Sequence, residues 1–184
     1  MAPETISYQI IRSARKTISI QIVPPGQVVV RCPNRMKNEE IRTFVQSKAD
    51  WIEKHLQKFS GSPALPPFTP EQVKKLAAQA LKVIPERVSY FAPQVGVTYG
   101  NITIRSQRTR WGSCSSKGNL NFNCLLMLVP REVLDYVVVH ELCHRKELNH
   151  SPRFWAEVER ILPDYKIRQK WLKNNGGSLI GRLP

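Results

Sequence analysis

The sequence predicts an α+β protein: a small N-terminal β-sheet plus a helix, followed by a region with a short sheet and a buried helix that carries chemistry. Three observations predict it. β-Branched residues cluster in short runs over 6–31; apolar residues recur at three- and four-residue intervals over 38–59 and again over 133–142; and a Ser/Gly/Pro-rich tract over 60–67 breaks the pattern between them. The organisation this implies is an N-terminal sheet and helix subdomain over 1–60, a linker over 61–69 and a catalytic domain over 70–184.

In the first region, 6–12, 17–23 and 27–31 read as strands, separated by Ser13-Ala14-Arg15-Lys16 and by Pro24-Pro25-Gly26. Asn38 can cap a helix to about Phe59, with Ile41, Phe44, Val45, Ala49, Ile52 and Leu56 on one face. Trp51 and His55, one turn apart on it, read as a packed aromatic beside a surface histidine. Beyond the linker, Thr69 caps a helix over 70–84, and 101–107 and 119–124 read as strands flanking a turn at Trp111-Gly112-Ser113. Pro130 opens the next helix, whose apolar positions are Val133, Leu134, Val137, Val138 and Leu142. Ser151 and Pro152 read as the N-cap and first position of another, running through Phe154, Trp155 and Val158. Pro163, Trp171 and Gly176-Gly177 mark a last helix and a flexible tail.

The chemistry lies in His140-Glu141-Leu142-Cys143-His144 and in His150. On a helix, positions i and i+4 are only about 40° apart, so His140 and His144 project from one face and can grip one ion. Glu141 stands aside from them, poorly placed as a ligand and well placed to reach a water beside the ion, which suits a general base. A catalytic zinc takes three protein ligands and keeps a coordination position open. His150 is the candidate third ligand, with Asn149 able to adopt a left-handed conformation that closes the helix and swings His150 back. Cys143 offers an alternative, a closed structural site, but ligands at i, i+3 and i+4 would crowd one ion. Asp135 and Asp164 are the carboxylates nearest in sequence for orienting the imidazoles, and a surface or capping role suits each.

Arg110-Trp111-Gly112-Ser113-Cys114-Ser115-Ser116-Lys117-Gly118-Asn119, then Val137-Val138-Val139-His140-Glu141-Leu142-Cys143-His144, then Asn149-His150-Ser151-Pro152-Arg153-Phe154-Trp155 resemble, in that order, the YgjP-like metallopeptidase family. Its relatives are the SprT-like and WLM-type zinc peptidase domains. The resemblance implies a zincin-like catalytic domain and a zinc-dependent peptidase, with one Zn²⁺ held by His140, His144 and His150 and with Glu141 as catalytic base. The spacing to His150 also matches that of metzincins. Glu147 stands where they place a glycine, however, and Met1, Met36 and Met127 all precede the motif, leaving no methionine for their Met-turn. A gluzincin-type reading would instead take Glu157 or Glu159 as third ligand.

An extended peptide substrate would add itself to an exposed sheet edge next to the motif helix. Arg110, Trp111, Ser113 and Tyr165 are the candidate substrate-binding residues, Tyr165 and the arginines near Trp111 being also candidate donors to a developing oxyanion. Without the resemblance, 110–113 would read as a hairpin with a packed indole.

Composition bounds the partners. Against 28 Lys+Arg stand 14 Asp+Glu, giving +14 and a pI near 10.0, which favours an anionic partner such as a nucleic acid or nucleotide. The excess is spread evenly, with 14 basic and 7 acidic residues in 1–92 and the same numbers in 93–184. Local concentrations occur at Arg105/Arg108/Arg110 and at Lys166/Arg168/Lys170/Lys173. Residues 1–5 carry no basic segment leading into an apolar run, so a cytoplasmic protein without a secretory signal or membrane span is expected. Four cysteines without a CxxC pair fit reduced thiols. Three functions are compatible with the whole: a zinc peptidase, a zinc-dependent phosphoanhydride hydrolase acting on nucleotides, and a zinc-stabilised nucleic-acid-binding module. Glu141 argues against the last, since a structural site needs no carboxylate beside open coordination.

Overall fold

A computed structural model describes residues 6–23, 26–57 and 65–184 and divides the chain into two compact units, Met1–Pro66 and Pro67–Pro184. Residues 1–5, Pro24-Pro25 and most of the linker tract lie outside the described residues, as does the far end of the helix expected to reach Phe59.

The first unit holds strands β1 (Tyr8–Ser13), β2 (Ser19–Val23) and β3 (Gln27–Pro33) in the order β1-β3-β2. β3 is central, parallel to β1 and antiparallel to β2. Its Val28, Val30 and Cys32 pack with Ile41, Val45 and Ile52 from two helices. The sequence suggests one helix over 38–59, yet there are two, α1 (Asn38–Gln46) and α2 (Ala49–Leu56). The physical reason is local: the Ser47 hydroxyl donates back to the Phe44 carbonyl at 2.8 Å, and the Lys48 amide closes a tighter turn on Val45. A serine bonding to its own turn competes with helix propagation. Asn38 is also not the cap. Lys37 holds that position, its amide donating to Glu40, while Asn38 accepts from the Arg12 guanidinium at 2.7 Å.

The second unit opens with α3 (Pro70–Val95), capped reciprocally by Thr69 and Gln72 as the sequence suggests. The helix does not stop at Ile84. It runs through Pro85 and Pro93 to a left-handed Gly96, because its buried stripe Leu76, Ala80, Ile84, Val88, Phe91, Ala92 and Val95 continues across the prolines. The carbonyl that Pro85 cannot serve belongs to Leu81, on the exposed face, where water can take the bond.

β4 (Ile102–Arg105), β5 (Gly112–Cys114) and β6 (Leu120–Asn123) form a second three-stranded sheet, ordered β4-β6-β5, with β5 antiparallel to β6 at one edge. Gly112 and Ser113, read from sequence as part of a turn, thus start a strand. A 3-10 turn at Cys124–Leu128 leads into α4 (Arg131–Cys143), followed by α5 (Pro152–Ile161) and α6 (Tyr165–Ile180). Nearly every residue of α4 from Val133 to Cys143 is buried, as expected for a helix apolar all round. Gly176-Gly177, expected in a flexible tail, lie inside α6. A Cβ at Gly176 would come within 2.9 Å of the Trp111 ring, so the glycine admits the indole rather than ending the helix.

Asp135 makes a two-point ion pair with Arg87 of α3, at 2.7 and 2.9 Å, tying α4 to α3. Asp164 precedes α6 and pairs with Arg168. Neither carboxylate serves the histidines.

Candidate metal centre

α4 presents His140 and His144 from adjacent turns, and the chain then reverses to bring His150 in front of them. The reversal is not made by a left-handed Asn149, since no described non-glycine residue has a positive φ. Instead the helix end tightens: Arg145 donates to Leu142, and Lys146 and Glu147 both donate to Cys143. Ser151 then caps α5 by accepting from the Phe154 amide, with Pro152 at the first helical position.

The three imidazoles form a nearly equilateral group, with ring centroids 4.9, 4.9 and 4.8 Å apart. The Nε2 atoms of His140 and His150 lie 3.0 Å from each other, and one nitrogen from each ring falls within 4.8 Å of the others. Nitrogens around a tetrahedral zinc would sit roughly 3.4 Å apart, given Zn–N distances of about 2.1 Å. The donor set therefore fits one such ion after small side-chain adjustments. His144 Nδ1 donates to the Glu147 carbonyl at 3.0 Å, which fixes the tautomer and leaves the Nε2 lone pair available to a metal ion. His140 Nδ1 is buried without a partner. Burial, then the neighbouring His144 and His150, push the His140 pKa down to about 3, and burial also lowers that of His144, so both rings are neutral and can offer lone pairs.

Two aromatic residues hold the group in place. Phe154, fully buried, touches all three rings at centroid distances of 4.5 to 4.8 Å and forms the floor beneath them. Trp155 stacks on His150 at 5.6 Å and 22°, and on its other side against Tyr165 at 5.4 Å and 15°. The sequence places both only in an apolar helix, and their contacts with the imidazoles come from tertiary packing. Trp155→Ala is expected to weaken zinc affinity about tenfold, as loss of an orienting neighbour does. Competition against a chromophoric chelator measures it.

Glu141, next to His140 on α4, packs against strand β5 of the sheet. It is only 5% exposed, and a Cβ on Gly112 would stand 2.6 Å from its Oε1 and 2.7 Å from its Cγ. Glycine is thus what lets strand β5 close on this carboxylate. Burial raises the Glu141 pKa to about 8, opposed by the positive charge of Arg110. Among the remaining candidates, Ser113 accepts from Asn121 at 3.2 Å, Trp111 rests on Gly176, and Tyr165 is buried against Trp155. Arg110 is exposed. The alternative ligands are engaged elsewhere: Glu157 pairs with Lys146 and Arg160, both at 2.9 Å, and Glu159 faces Lys166 at 3.7 Å. Cys143 is buried, its thiol pushed up to about 12 by desolvation, and it stands apart from the histidine group.

The sequence profile of the YgjP-like, metallopeptidase domain matches residues 16–76 and 65–175. The chain belongs to the YgjP-like metallopeptidase family. The family makes the protein a zinc metallohydrolase, and its three-histidine group is close enough to hold one ion. No curated protein matches the chain. Two solved structures are similar to part of this YgjP-like protein: the metallopeptidase zymogen abylysin of Pyrococcus abyssi, at 22% identity and a TM-score of 0.45, and the metallopeptidase zymogen jannalysin of Methanocaldococcus jannaschii, at 25% and 0.43. Each similarity covers 50% of this chain and 93% of the other. No described helix is long and apolar enough to cross a membrane.

Proposed function

We propose that this protein is a zinc peptidase in which His140, His144 and His150 hold the ion and Glu141 is the general base. The observation that carries the reading is the convergence of three imidazoles within reach of one ion, with a buried carboxylate, Glu141, next in sequence to one of them. When bound, zinc supplies Lewis-acid polarisation of a carbonyl and of a water molecule. Glu141 takes the proton of the attacking water and passes it to the departing amine, so that one carboxylate serves both halves of the reaction. A carboxylate whose affinity for protons is raised by burial is suited to that double task.

Strand β5 positions the substrate. Asn123 donates to the Trp111 carbonyl and Ser115 to the Asn119 carbonyl, so the intervening Gly112 and Cys114 direct their amides and carbonyls away from β6. An extended peptide can pair with that edge and lie next to Glu141. The four free thiols support a reducing, cytoplasmic setting.

Zinc-loaded protein should cleave an unfolded protein such as reduced casein, lose that activity on treatment with a chelator, and regain it when zinc is restored. Cleavage that persists in fully demetallated protein would overturn the reading.

A further inference from the structure

The charge of the chain is spread evenly along the sequence, but the surroundings of β5 are not balanced. From Arg87 to Arg131 the chain has no aspartate or glutamate, and this stretch supplies the whole sheet of the second unit with its loops. Arg108, Arg110 and Lys117 are exposed within it. Their side chains make no hydrogen bond or ion pair among the described residues. Arg145, by contrast, is spent on structure: it donates to the carbonyls of Thr98 and Ser116 and packs against Gly118, where a Cβ would meet its guanidinium at 2.8 Å. Arg105 stands on β4, at the far edge of the sheet, and lines a separate hollow with Lys74.

The loop that carries Arg108 and Arg110 is held firmly. Asn123, 2% exposed, donates from Nδ2 to the carbonyls of Gln107 at 2.7 Å and Arg110 at 3.1 Å, and its Oδ1 accepts from Leu125. This buried amide fixes the loop backbone while the guanidinium groups stay in solvent. Gly112 abuts Glu141, and two residues of extended chain span at most about 7 Å, so Arg110 roots within one side-chain length of the reacting carboxylate. Lys117 marks the other end of the same edge, in the turn between β5 and β6.

We propose that Arg108, Arg110 and Lys117 select substrates with acidic side chains on either side of the bond to be cut. An extended peptide along β5 would meet cations at both of its ends and no anion from the sheet, and a glutamate or aspartate there gains a partner where a lysine meets repulsion. Long-range attraction from the same groups raises the association rate of acidic segments and fades with salt. This selectivity rests on the peptidase reading above.

Two peptides identical except for glutamate or glutamine at two positions flanking the scissile bond test it. Binding of fluorescein-labelled versions to zinc-loaded Glu141→Gln protein is read by anisotropy, and cleavage by wild type is read as kcat/KM. The acidic peptide is expected to bind and to be cleaved roughly tenfold better at low ionic strength, with the preference shrinking at high salt and falling to about twofold in the Arg108→Gln/Arg110→Gln variant. Equal binding of the two peptides overturns the selectivity even if both are cleaved. Selective, arginine-dependent binding without any cleavage would instead sustain the selectivity and sink the peptidase reading. Should a single-stranded oligonucleotide bind through Arg108 and Arg110 while the peptides are not distinguished, the rim belongs to nucleic acid and the proposal falls.

Discussion

Glu141→Gln is expected to lower kcat on an unfolded protein substrate by about 10²- to 10⁴-fold, with zinc content and folding unchanged. Glutamine has nearly the same shape as glutamate, so the fit against Gly112 survives. The amide nitrogen cannot accept a proton, so the step that activates water is lost. Stability should not suffer, because an ionised carboxylate at a 5% exposed position is the costly form and a neutral amide relieves that cost. Zinc is measured by elemental analysis of the purified variant, and kcat by release of new amino termini. Wild-type turnover in this variant would place the base elsewhere and leave Glu141 a buried packing residue.

The proposed separation between zinc ligands and base starts from spacing, because helical geometry alone puts His140 and His144 on one face and Glu141 beside them. The start of α5 at Ser151-Pro152 is equally legible, since capping is a local property of those residues, whereas the reversal to His150 is made by a tightened helix end and not by the left-handed Asn149 that the sequence suggests. What sequence alone leaves hidden depends on tertiary contact. Pro85 looks like a stop and is instead spanned, because a stripe of buried residues on both sides of it outweighs one lost backbone bond on an exposed face. Gly176 looks like a flexible tail and is a seat for the Trp111 indole. Ser47 breaks a helix whose apolar spacing is otherwise continuous. In the site, Phe154 and Trp155 carry the apolar periodicity of any amphipathic helix. Only the folded chain gives them three imidazoles and two imidazoles, respectively, to pack against.

The same limit applies to Gly112, which in sequence is one of several glycines and in the fold lies directly against the carboxylate of Glu141. Gly112→Ala is expected to reduce kcat about 10²-fold, since displacements near 1 Å of a catalytic group cost that much. The added Cβ would stand within 2.6 to 2.9 Å of Oε1, Cγ and Cδ of Glu141, so the whole side chain must move and not only its tip. Strand β5 cannot retreat freely, because it is tied to β6 through the Trp111 and Ser115 bonds and Trp111 is seated on α6. The histidines are packed by Phe154 and none is among the atoms an added Cβ would meet, so zinc content should match wild type. The variant thus separates position from chemistry: Glu141→Gln keeps the geometry and removes the proton acceptor, whereas Gly112→Ala keeps the acceptor and shifts it. Retention of full kcat in Gly112→Ala, with zinc bound, would mean that the carboxylate works without being held by the strand.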